Sequence, residues 1–165
     1  MRFFWISATI GSIDKMPEYA ANPRARFDYE ILETLEAGLV LAGHEVKAIK
    51  NGKVSIRGAY VRIIGNGGWL VGAVVSPYQP GNPPAGGLSD YDSQRSRKLL
   101  LKKSELKYLI GKSQERGLTL VPLRLYSKGN LVKLEIGVGR GKKKYDKREA
   151  IKKREFERKI SRLVK

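Results

Sequence analysis

Residues 118–138 read LTLVPLRLYSKGNLVKLEIGV, and the architecture turns on them. Leu118 to Tyr126 and Asn130 to Val138 are two runs rich in branched and aromatic residues, joined by Ser127-Lys128-Gly129. That pattern predicts a hairpin of two strands. Upstream, Lys53 to Ile64 alternates, Gly65-Asn66-Gly67-Gly68 supplies a hairpin turn, and Trp69 to Val75 reads as the returning strand. Antiparallel strands in close succession with one inserted helix predict a small closed barrel rather than a βαβ fold.

Working outward, Phe27, Tyr29 and Ile31 alternate on one face of a further strand, which Glu36-Ala37-Gly38 interrupts before Leu39-Val40-Leu41. Residues 44–50 (HEVKAIK) suit one or two helical turns ending at Asn51-Gly52. Ser104 is the expected N-cap of a helix with Glu105 in its first turn and Leu106, Leu109 and Ile110 at helical spacing; Gly117 stops it. Residues 76–96 hold four prolines and three glycines, too little apolar surface to offset ordering entropy, so a mobile loop is expected there.

The chain has 165 residues, enough for one domain with a core. Its 33 Lys and Arg outnumber 16 Asp and Glu, giving a formal charge of +17. Self-repulsion on that scale points to a polyanionic partner. A membrane surface fits poorly, because no long amphipathic helix with a wide aromatic face appears. With no cysteine, disulfides, thiolate metal sites and cysteine nucleophiles are excluded. His44-Glu45 starts an H-E-x-x-H pattern, but Ala48 stands where the second histidine belongs, so His44 reads as an ordinary surface or core residue. Gly137-Val138-Gly139-Arg140-Gly141-Lys142 lacks the residues of a Walker loop or a dinucleotide fingerprint and reads as a flexible hinge. No cofactor and no metal are expected. Met1 to Ile13 is a short apolar stretch without a cleavage site, best explained as an extension upstream of Met16.

Beyond Arg140 the composition changes. Residues 140–165 carry 13 Lys or Arg against 4 Asp or Glu, so over half of the excess charge lies in the last sixth of the chain. Ala150, Phe156, Ile160, Leu163 and Val164 share one arc of a helical wheel. Such a sparse, self-repelling helix is marginal alone, and the segment is expected to be disordered free and to fold against a polyanion. Tyr145 among the cations offers a stacking surface for RNA.

The runs ARFDYEILETLEAGLVLAGHEVKAIKNGKV (25–54), RKLLL (97–101), IGKSQERGLTLVPLRLY (110–126) and GKKKYDKR (141–148) resemble the SmpB (SsrA-binding protein) family in order and spacing. The resemblance covers residue 22 to the end. It implies an antiparallel oligonucleotide-binding (OB-like) barrel with helices, and a cytoplasmic, monomeric, non-enzymatic protein. Such a protein binds the tRNA-like domain of transfer-messenger RNA and brings it to stalled ribosomes for trans-translation. The implied division is an extension over 1–21, a barrel over 22–139 and a basic tail over 140–165, helical on the ribosome.

By the same resemblance, RNA contacts fall on Glu36 and Leu100, and Lys102 stands where asparagine is common. Arg24 and Arg26 are counted with them. The tail residues Gly141, Lys142, Lys143, Tyr145, Asp146, Lys147 and Arg148 would enter the decoding centre, against small-subunit ribosomal RNA. Two alternatives stay open. One is a generic OB-fold RNA-binding or ribosome-associated protein with an anchoring tail. The other is an RNA-processing enzyme, for which Asp90 and Asp92 are the only carboxylates on offer.

Overall fold

The computed structural model describes residues 17–77, 91–143, 148, 151–152 and 155–160. Seven strands form one antiparallel sheet in the order β1 (Glu18–Ala21), β8 (Leu118–Lys128), β9 (Leu131–Gly141), β2 (Tyr29–Leu39), β7 (Arg97–Leu100), β5 (Gly67–Val71) and β4 (Tyr60–Ile64). Short strands β3 (Val54–Ser55) and β6 (Val74–Val75) pair separately. Among the described residues up to 143, three helices complete the fold: α1 (Pro23–Asp28), α2 (Gly43–Lys50) and α3 (Lys103–Gln114). The sheet curls so that β4 approaches β8, but no ladder joins its two ends among the described residues. The expected closed barrel is therefore an open, curled sheet. Its concave side holds Leu70, Leu99, Leu125, Leu134, Ile136 and Val138, with Ala48, Ile49 and Leu109 from the helices.

Both predicted hairpins form. Lys128 pairs with Leu131 across Gly129-Asn130, and Ile64 with Gly67 across Gly65-Asn66. Gly129 and Gly65 take φ of 61° and 55°, conformations that side chains disfavour. Each loop has two residues, so the first turn begins two positions later than its composition suggested.

Several local expectations are corrected. Phe27 lies in α1 rather than in a strand, because Pro23 starts a short helix that buries Ala25 against Val121 and Leu123. Glu36-Ala37-Gly38 does not interrupt β2: Ala37 is buried, and Gly38 pairs with both Lys133 and Leu100. A Cβ on Gly38 would lie 3.2 Å from Leu100 Cβ, so glycine serves close approach here rather than a break. Helix α3 begins after Lys102, whose backbone N–H donates to Glu105 Oε2 at 2.8 Å, so Ser104 is not the cap.

The expected hinge at Gly137–Gly141 is regular strand. Gly139 pairs with Ile31 and Thr119, and added Cβ atoms at Gly137 and Gly139 would crowd Ile31, Leu123 and Tyr29 at 3.1–3.2 Å. Upstream, β1 pairs with β8, so the sheet begins before the expected boundary at residue 22. Residues 1–16 and 78–90 lie outside the described residues, and with them Met16 and most of the expected loop.

The far end of that loop is tied down by a buried ion pair. Glu45 on α2 and Arg97 on β7 are 0% and 1% exposed, and Arg97 Nη2 lies 2.9 Å from Glu45 Oε1. Arg97 also donates to the carbonyls of Ala73, Ser93 and Arg95 and to the Tyr91 hydroxyl. Glu45 accepts from the Arg95 guanidinium and, at 2.9 Å, from the Ala42 N–H that opens α2. His44, beside Glu45, packs edge-on against Tyr91 with ring centroids 4.8 Å apart. Burial alone would push the Glu45 carboxyl up. The hydrogen bonds from Arg95 and Ala42 and the charges of Arg97 and Arg95 overcome it, lowering the pKa from 4.5 to about 2.

Removing one partner strands the other charge in the core. Glu45→Ala is expected to cost about 3–5 kcal/mol of unfolding free energy in urea melts. Because the folded pKa is depressed, the Glu45 contribution is complete above pH 4.5 and is lost as pH falls toward about 2. The wild type should lose that stability on acidification while the variant lacks this part of the response. A loss below about 1 kcal/mol would show that the pair does not hold the fold.

Candidate RNA interface

Strand β2 lies between β9 and β7 in the sheet and carries Glu36 opposite Glu135 of β9, two residues before Gly38 pairs with both neighbours. Glu36 is one-third exposed and heavily engaged. One oxygen accepts from the Tyr126 hydroxyl on β8 and lies 3.3 Å from Lys128 Nζ; the other lies 3.3 Å from Lys133 Nζ on β9. The Tyr126 hydrogen bond lowers the Glu36 pKa most, and the two lysines add to it against the opposing effect of burial. Burial and the Glu36 bond push the Tyr126 hydroxyl up to about 12. The result is a fixed, ionised carboxylate at a rim of cations, suited to accepting hydrogen bonds from base N–H groups.

Glu36, Leu100 and Lys102 line one open groove together with Lys133. Leu100 is 56% exposed, an apolar side chain turned outward because alternate residues of β7 send Arg97 and Leu99 inward. Lys102, at the start of α3, adds a cation to the groove. Three of the five RNA-binding residues named from sequence thus share a surface.

Arg24 and Arg26 do not join them. Both are exposed on α1, and Arg26 lines a second groove with Tyr29, Glu30, Ile31 and Lys142. The two grooves follow one another along β2, with their nearest lining residues, Ile31 and Thr34, about 10 Å apart.

The tail set also divides. Gly141 ends β9 opposite Tyr29; the Lys142 N–H donates to Asp28 O at 2.9 Å and its Nζ to Arg26 O at 3.0 Å. These two residues belong to the folded body. Lys143 is exposed, and Arg148 is helical and exposed. Tyr145, Asp146 and Lys147 lie outside the described residues. Residues 155–160 are helical, with Phe156 and Ile160 exposed. Among the described residues no group of three or more His, Asp and Glu side chains could hold a metal ion.

The SmpB protein family model matches residues 19–165. The chain belongs to the SmpB family. A Trichodesmium erythraeum SsrA-binding protein is 49% identical over 144 residues, covering 87% of this chain and 90% of its own. One from Thermosynechococcus vestitus is 46% identical over 152 residues, covering 92% and 97%. A solved structure described as "tmRNA-SmpB: a journey to the center of the bacterial ribosome" superposes with a TM-score of 0.61 at 42% identity, covering 79% of this chain and 92% of that one.

Sequence reasoning missed the residues that hold Glu36. Tyr126 and Lys133 face each other across the β8–β9 hairpin, a pairing that needs the register of the turn. Tyr126→Phe removes the strongest influence depressing the Glu36 pKa, which should then rise toward its ordinary value. Carboxyl-carbon NMR titration reads this directly; an unchanged Glu36 titration would mean the hydroxyl does not hold it.

Proposed function

We propose that this chain binds the tRNA-like domain of transfer-messenger RNA through the groove of Glu36, Leu100 and Lys102. It then accompanies that RNA into stalled ribosomes for trans-translation. The observation that carries the reading is the ionised Glu36 beside an outward leucine and a lysine, in a chain of the SmpB family. The protein acts as an adaptor with no active site of its own. It works as a monomer in the cytoplasm; among the described residues no helix is long and apolar enough to cross a membrane.

The second half of the proposal concerns the tail. Lys142 is bonded to α1, so the working tail starts after Lys143 rather than at Arg140. Its dense positive charge repels itself until ribosomal RNA phosphates neutralise it. The stretch then coils through the decoding centre and the empty messenger channel, with Tyr145 stacking on a small-subunit base.

Glu36→Ala should weaken binding of the tRNA-like domain by about tenfold or more in filter-binding titrations, with thermal stability nearly intact. Normal affinity would remove Glu36 from the interface. Wild-type affinity should also fall steeply with salt, as phosphate contacts require, whereas a flat response would contradict a phosphate-dominated interface.

A chain truncated after Lys143 should keep most of its RNA affinity and lose peptide tagging on stalled ribosomes in a reconstituted translation system. Tagging near the full-length rate would contradict the assigned role of the tail.

A further inference from the structure

The convex face of the sheet carries a second set of RNA-compatible residues. In the ladder β4–β5–β7, Arg62 pairs with Trp69 and Trp69 with Lys98. Directly paired residues share a face, so the indole lies in a row between two cations. Their neighbours in sequence, Val61, Leu70, Arg97 and Leu99, are buried on the opposite face, which assigns the row to the outside. Arg62 and Lys98 are exposed, and neither has an ion-pair partner among the described residues.

The glycine in this hairpin extends the surface. A Cβ on Gly67 would meet Trp69 Nε1 at 3.5 Å and Lys98 Cε at 3.9 Å, so the indole edge and the lysine stem lie together over Gly67. Tyr60, two residues before Arg62, is on the same face and 46% exposed. Aromatic faces flanked by unpaired cations suit an unstacked base and its adjacent phosphates.

The row is also continuous with the groove described above. Leu100 follows Lys98 by two residues on the same face of β7, and its neighbour across the ladder is Gly38 of β2. An RNA seated on Glu36, Leu100 and Lys102 therefore meets Lys98 and Trp69 next.

From this we infer that Arg62, Trp69 and Lys98 form a stacking platform for an unpaired nucleotide of the same bound RNA, with Trp69 under the base and the two cations on its phosphates. The inference rests on the proposed RNA-binding groove, and the test separates the two. Trp5 is the only other tryptophan, so full-length protein carrying Trp5→Phe reports Trp69 alone. Titration with the tRNA-like domain of transfer-messenger RNA should quench its emission in step with binding measured by filter retention.

Trp69→Ala should weaken binding by about tenfold, and Trp69→Phe, which keeps a stacking ring, should restore most of it. Should Trp69→Ala fail to fold, Arg62→Gln and Lys98→Gln, both at exposed positions, carry the test. Each should lower the slope of log affinity against log salt by about 0.7–0.9. Full binding with unchanged Trp69 emission, or unchanged salt slopes, would overturn the platform. If Glu36→Ala still weakens binding about tenfold in that case, the groove stands without it and the convex face is free for an acidic protein segment instead. If Glu36→Ala and the platform variants all bind normally, the groove reading fails as well.

Discussion

The pair Glu45–Arg97 is the constraint on which the rest of the architecture depends. Two opposite charges with almost no exposure are stable only when every remaining donor and acceptor is satisfied. Here that demand reaches into four segments at once. Arg97 takes the carbonyls of Ala73, Ser93 and Arg95, and Glu45 takes the N–H that opens α2 and the side chain of Arg95. The pair fixes α2 against the sheet, closes the long connection onto β6, and sets the phase of β7. A one-residue slip of β7 would move Arg97 to solvent and Lys98 into the core.

That phase is what links the core to the candidate site. With Arg97 and Leu99 inward, Lys98 and Leu100 have to face out, and Leu100 comes to lie over Gly38 beside Glu36. The carboxylate is held in turn by Lys133 of the adjacent β9 and Tyr126 of β8 beyond it. An apolar knob, a fixed acceptor and cations from Lys102 and Lys133 then converge without any loop having to order first. Glu36, Leu100 and Lys133 stand on strands, which hold side chains more rigidly than loops do, and Lys102 stands at the start of α3.

The antiparallel plan was legible because alternation and turn glycines are local signals. The β8–β9 and β4–β5 hairpins followed from them directly. Long-range effects were not legible in the same way. Glycines at 38, 137 and 139 read as breaks or hinges, yet each makes room for a side chain on an adjacent strand. Pro23 started a helix that takes in Phe27, the first residue of the expected alternation, because Ala25 finds a buried seat on β8. The expected barrel stayed open because nothing local specifies whether the two sheet edges meet. At the site, Glu36, Leu100 and Lys102 came from resemblance and do share a groove, whereas Arg24 and Arg26 are displaced along β2. Arg97 did leave a trace: period 2 places it on the face of Leu99, and a charge there calls for a buried partner.

Charge distribution joins the folded body to the tail. Over half of the net +17 lies beyond residue 139, while in the body two acidic groups are paired with cations at decisive places, Glu45 inside and Glu36 at the groove. The central claim is that this body selects one structured RNA while the tail acts elsewhere. Sequencing the RNA that co-purifies with the full chain from its native host, beside a nuclease-treated control, addresses it most directly. The account predicts one abundant species, transfer-messenger RNA, that persists when ribosomal subunits are removed. Recovery of ribosomal RNA alone, with no such species, would contradict it.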